Sequence, residues 1–174
     1  MTTHDFGYGP VPAHRHKNPD GTEGGWVANT ATVEPTAYVA PSAQVSGNAH
    51  VYGNAHVYGY AHVSGYAWVS GDARVSGDAQ VSGYAWVSGN AWVSGNAVIK
   101  RTTDYLIIAP IGSRDATLTW TRSDDCICTG CFRGTVEEFA AAVETAHGDN
   151  AHGKAYRAAV AFIEAYRDAY KVTP

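Results

Sequence analysis

Little of this 174-residue sequence is charged: Asp, Glu, Lys and Arg together make 16%, and the net charge is −4 with a pI near 6.0. That excludes the broad basic field with which proteins hold bulk DNA or RNA. Long apolar runs are missing as well. None approaches the roughly 18 residues of a membrane-spanning helix, so no membrane partner is expected. The opening stretch MTTHDFGYGPVPAHRHK lacks the charged-then-apolar order of a secretory leader. Cysteine is limited to three clustered residues, which argues against a secreted disulfide scaffold. These absences set the expectation of a soluble protein in a reducing cytoplasm. Methionine (one) and phenylalanine (four) are scarce, whereas Gly reaches 19 and Tyr 11. An imbalance of that kind points to an internal repeat.

The repeat begins at Val27. Every sixth residue from there (Val33, Val39, Val45 and onward to Val93 and Ile99) is a β-branched aliphatic, thirteen in succession. Two residues before each stands Ala, from Ala31 to Ala97, with Gly25 the exception; two residues after stands Gly, from Gly47 to Gly95. In the unit A-x-V-[SY]-G-[NDY], Ala and Val share one face of a short strand and x takes the other. Gly turns the corner by accepting a positive φ. A strand and corner of six residues bury no core alone, so successive units must coil and stack. Ala beside Val implies a narrow interior, which larger residues would overpack.

Residues 25–99 resemble the hexapeptide-repeat proteins, whose signature is an aliphatic residue with a small residue two before it. The resemblance implies a left-handed parallel β-helix of triangular section with three hexads to a coil, an exception to the right-handed rule for crossovers. Thirteen hexads then give about four coils, roughly 20 Å tall at a strand spacing of about 4.8 Å. It also implies a homotrimer packed through one β-helix face, with ligands in the clefts between subunits.

With 18 residues per coil, outward side chains 18 apart stack. Three walls result: Trp26, Gln44, His62, Gln80 and Val98 on wall one; Thr32, His50, Trp68 and Trp86 on wall two; Tyr38, His56, Arg74 and Trp92 on wall three. Tyr66 and Tyr84 flank Trp68 and Trp86 from the preceding corner. This aromatic stripe reads as a subunit interface, a ligand platform or stacking that stabilises the sheet.

Two catalytic chemistries belong to proteins of this fold. His50, His56 and His62 are spaced like a metal set, yet six residues is one side of the triangle, so the imidazoles point apart and Zn–N bonds of about 2.0–2.1 Å do not join them. No metal is expected there. Acetyl-CoA-dependent acyltransferases of the fold generally interrupt the coil with a loop carrying a catalytic His. Nothing interrupts Val27 to Ile99, although His56 or His62 remain the candidate bases for that alternative.

Outside the coil, residues 1–25 read as an irregular N-terminal arm that caps the first coil. Its cluster His14-Arg15-His16-Lys17 is either solvated or reaches a phosphate on a partner subunit's ligand. After residue 100 the composition changes: residues 26–100 hold five charged side chains and 101–174 hold eighteen. Tyr105–Ile108 and 116–120 read as a hairpin, with Cys126-Ile127-Cys128 as a possible third strand. Thr135-Val-Glu-Glu138 is a capping box opening a helix with Phe139 and Val143 inward; a second helix is expected from about Ala151 to Lys171. This small α+β unit, 101–174, would cap the coil's open end. Cys126, Cys128 and Cys131, with His147 or His152, are either zinc ligands of weak spacing or small buried hydrophobes. The stretch 111–139 is similar to a module of phage and prophage proteins of unassigned role. Its Arg114, Arg122 and Arg133 are candidate anion ligands, or partners of nearby acids.

The leading expectation is therefore a mostly β, non-enzymatic, oligomeric binding protein, with no catalytic residue and no cofactor. If it is phage-encoded, it would act in the cytoplasm of a bacterial host by sequestering a small anionic or nucleotide immune signal. Its contacts would come from Trp68, Trp86, Trp92, Tyr66, Tyr84, His50, His56, Arg74, Arg15, Arg114 and Arg133, since aromatic faces hold bases and Arg holds phosphates. The alternatives are the acyltransferase and a structural, virion-attached fibre module.

Overall fold

The computed structural model describes residues 2–170 and divides into two compact units, Met1–Thr102 and Thr103–Pro174. In the first unit, twelve two-residue strands run from β4 (Thr32–Val33) to β15 (Val98–Ile99), one to each hexad. They form three parallel sheets, one per wall, and make a β-solenoid of about four turns. The pairing register is 18 residues throughout: Trp68 lies opposite His50 and Trp86, and Arg74 opposite His56 and Trp92. Wall one follows the same rule, with His62 between Gln44 and Gln80.

The interior is the Ala–Val column. Ala37 to Ala97 and Val39 to Ile99 are completely buried. At the first coil Ala31 and Val33, at the open end of wall two, remain partly exposed.

Corners are held by backbone stacking that the repeat unit alone does not reveal. Gly47 has φ +63, and a Cβ on it would come within 2.9 Å of the amide nitrogen of Gly65, one coil on. The close approach lets the next residue bond: Asn48 N–H donates to Gly65 O at 2.7 Å, and Tyr66 N–H to Gly83 O at 2.8 Å. The first coil has Asn29, Pro35 and Pro41 in place of these glycines. There, side-chain hydroxyls take over: Thr36 Oγ1 donates to Gly53 O at 2.6 Å, Ser42 Oγ to Gly59 O at 2.7 Å, and Thr30 Oγ1 to Gly47 O.

The N-terminal segment is not the irregular arm expected from its sequence. Strands β1 (Thr3–Asp5) and β2 (Pro10–Lys17) pair antiparallel, and β2 pairs antiparallel with β3 (Glu23–Ala28). β3 belongs to wall one and opens the first coil, so this meander extends that wall to seven strands and satisfies the edge that β3 would otherwise expose. Pro10 and Pro12, which lack N–H donors, mask the strand in the sequence; register against Trp26 and Val27 imposes it.

The second unit is an antiparallel sheet, β16 (Tyr105–Ile111), β17 (Ala116–Thr121), β18 (Cys126–Thr129) and β19 (Phe132–Thr135), followed by helices α1 (Val136–His147) and α2 (Ala151–Ala169). The fourth strand goes beyond the expected hairpin. Gly130-Cys131 forms a two-residue turn joining it to β18, with Gly130 at φ +54, while Phe-Arg-Gly-Thr shows no clear alternation. Thr135 both ends β19 and caps α1: its Oγ1 accepts Glu138 N–H, and the Glu138 carboxylate accepts Thr135 N–H. Phe139, Val143 and Ile163 close the core over Leu118, Trp120 and Ile127. Tyr156, Val160 and Tyr166 pack at its margin; Tyr170 is exposed, and Lys171 lies outside the described residues. No helix among the described residues is long and apolar enough to cross a membrane.

Candidate functional site

The outward position of each hexad is fixed by strand alternation, so the walls inherit whatever residues the sequence places there. Wall two carries the largest exposed aromatic surface. Trp68 and Trp86, Cα partners on adjacent coils, are 44% and 57% exposed. Below them His50 lies 4.6 Å from the Trp68 ring, and Tyr52 5.4 Å from it. The Trp86 indole N–H donates to Ser70 Oγ at 3.3 Å, one coil back, which pins the ring to the wall. At the preceding corner Tyr66 and Tyr84 stack nearly parallel, 5.3 Å apart with 8° between planes, and both are more than half exposed.

Wall three repeats the scheme with a charge inserted. Tyr38, His56 and Tyr58 cluster at 5.1–5.7 Å, Arg74 stands exposed on the next coil, and Trp92 above it donates to Ser76 Oγ at 3.4 Å. His56 Nδ1 and Tyr58 OH share a 2.6 Å hydrogen bond, as His50 Nδ1 and Tyr52 OH share one of 2.8 Å. Burial, and then the Arg74 guanidinium, hold the His56 imidazole below its ordinary pKa; burial raises the Tyr58 phenol. Tyr52 and Tyr58, the partners in these His-x-Tyr pairs, face the same walls but stand outside the ladders of outward positions, which contain only His50 and His56. Their signal is His-Val-Tyr occurring twice, at 50–52 and 56–58.

Wall one is covered in its first coils by the N-terminal segment, while Gln80 further along is exposed. His4 stacks on Trp26 at 4.6 Å, and the Phe6 ring lies 6.3 Å from His62. His62 Nε2 bonds Ser46 Oγ at 2.9 Å, and burial lowers its pKa. Arg15 sits 4.5 Å over the Trp26 ring and donates to the carbonyls of Gly24 and Pro41. His16 is buried, with its Nε2 3.0 Å from Ala37 O. The basic cluster thus anchors the meander to the first coil, and Arg15 is engaged away from the aromatic walls.

The structure does not bring the arginines of the second unit together. Arg114 and Arg122 flank opposite ends of β17, and Arg133, on β19, lies 3.6 Å from Asp124. Arg122 lies 5.1 Å from the Trp120 ring centre and donates to Arg167 O at 3.1 Å. Cys126 and Cys128 are buried in β18, and burial, reinforced by Cys128, pushes the Cys126 thiol up to about 11; Cys131 is exposed. His50, His56 and His62 fall on three different sheets. Among the described residues no group of three or more His, Cys, Asp or Glu is placed to hold a metal ion.

Residues 43–59 and 67–83 match the family described as YdcK Beta solenoid repeat. Both stretches lie within the regular coils, and with the register above they define a β-solenoid repeat protein. No curated protein and no solved structure matches the chain.

Proposed function

We propose that the chain is a non-enzymatic, self-associating binding protein that takes a planar anionic ligand of nucleotide type in clefts between its protomers. The observation that carries this reading is the division of chemistry between adjacent walls. Trp68, Trp86, Tyr66 and Tyr84 present stacking faces on and beside wall two, whereas exposed Arg74 stands on wall three with Trp92 and His56. A corner separates the two walls, so one chain does not turn both toward one ligand. In a cyclic assembly, wall two of one protomer meets wall three of the next. A base then stacks on indole and phenol, and the neighbour's guanidinium takes the phosphate. An exposed aromatic surface of this extent is also what a subunit interface needs.

The non-catalytic character rests on the uninterrupted coil and on His62, which is covered by Phe6 and bonded to Ser46. The homotrimer, the left-handed sense of the coil and the A-x-V-x-G repeat type come with the hexapeptide resemblance. The similarity of residues 111–139 to phage and prophage modules favours a sequestering role toward a host signal. Titration of the purified chain with linear and cyclic mono- and dinucleotides, followed by tryptophan fluorescence, tests the reading. Quenching that saturates, and that is lost in Trp86→Ala and Arg74→Gln but kept in Arg15→Gln, is expected. No quenching across the panel overturns it.

A further inference from the structure

We propose a second binding site, independent of the solenoid walls, in the Thr103–Pro174 unit: a cleft that takes a small monocarboxylate with an apolar body. The cleft encloses about 340 Å³ between α1, the β16–β17 turn and the β18–β19 turn. That lies at the low end of the about 300–1,000 Å³ typical of small-molecule sites, which suits a short acyl or aryl group rather than a peptide. Phe132, Phe139, Val143 and Tyr156 make its apolar lining. No lining residue is acidic, and Arg114 supplies the one fixed positive charge. Arg114 is exposed at the turn and has no ion-pair or hydrogen-bond partner among the described residues. A guanidinium fork so placed matches a carboxylate in two parallel hydrogen bonds.

The cleft is shaped by a specific close approach. Gly112, at φ +76, precedes Ser113 and Arg114, and a Cβ on it would overlap the Tyr156 hydroxyl. The phenol therefore lies directly against the turn that carries Arg114, and its ring, 5.3 Å from Phe139 and 5.5 Å from His147, forms one wall of the cleft.

Exposed Cys131 lines the same cleft, whereas Cys126 and Cys128 are buried, so Cys131 reports occupancy. Octanoate is titrated into the full chain while alkylation of Cys131 by iodoacetamide is followed by mass spectrometry. Alkylation is expected to slow about tenfold once octanoate stands about ten times above its Kd. Octanamide, which matches the body without the charge, protects far less. Arg114→Gln abolishes the protection while Cys131 alkylates at its ligand-free rate, and Trp86→Ala keeps it. An unchanged rate up to the solubility limit, equal protection by octanamide, or full protection in Arg114→Gln overturns the proposal. Failure here leaves the nucleotide reading of the walls standing, because its readout is the quenching that Trp86→Ala removes, on the other unit.

Discussion

Trp68 and Trp86, eighteen residues apart in sequence, are direct Cα partners in one parallel sheet. One lap of the backbone therefore superposes outward groups, and the chemistry of each wall is set by every third hexad. The same lap superposes the corner glycines and aligns the hydroxyl caps of the first coil, and each consequence is measurable.

The glycine corners differ in how much they tolerate. Gly65 has φ +68, and a Cβ there would lie 3.0 Å from Gly83 N; Gly89 has φ +66 but nothing within 4 Å. Left-handed backbone costs an L-residue about 1–2 kcal/mol. Gly89→Ala is expected to lose about that much in urea unfolding. Gly65→Ala should lose distinctly more, because a backbone neighbour has to shift.

The narrow interior gives a second expectation. Ala73 is fully buried beside Val75, whereas Arg74 between them points outward. Ala73→Leu should destabilise by about 1–3 kcal/mol or more through overpacking. Arg74→Gln should leave the unfolding midpoint nearly unchanged, which qualifies it as a binding probe.

Hydroxyl capping of the first coil is tested by Thr36→Val, which keeps the shape and removes the donor to Gly53 O. A loss of about 1 kcal/mol is expected. Hydrogen exchange should quicken at the corner near Gly53, where Glu34 Oε2 also holds the Gly53 N–H, and not at the Gly89 corner.

Histidine burial makes stability fall in mild acid. The pKa of His62 is lowered from its ordinary 6.5 by burial. Between that value and the lower folded one, the unfolded chain binds more protons, so stability rises with pH there. The contribution is complete above about 6.5, declines as pH falls below it, and levels off beneath the folded pKa. His56 shifts the same way, through burial and then Arg74. Urea midpoints from pH 7 to 5 should drop for the native chain and drop less for His62→Gln.

Much of this architecture was legible in residues. The six-residue period and its alternation marked which residues face inward and outward, the hexapeptide resemblance supplied three hexads to a coil and hence the three walls, and the capping box of Thr135 and Glu138 marked the start of α1. What stayed hidden depends on contacts between distant segments. β2 is a strand because Trp26 and Val27 offer an edge, although its prolines read as loop. β19 follows from a two-residue turn at Gly130 rather than from its own pattern. The bonds from Trp86 to Ser70 and from Trp92 to Ser76 join residues 16 apart, a diagonal that appears only once the coils are stacked. The cleft around Arg114 is assembled from two turns and two helices, which no local motif announces.

The proposal that binding needs wall two of one protomer and wall three of another is tested most directly by complementation. Trp86→Ala and Arg74→Gln chains are prepared separately and as co-refolded mixtures, and nucleotide binding is measured by calorimetry. Neither variant is expected to bind alone, and the mixture is expected to regain part of the native binding, since some clefts then pair an intact Trp86 with a neighbour's intact Arg74. A mixture as inactive as both parents, from chains that still assemble together, would contradict it.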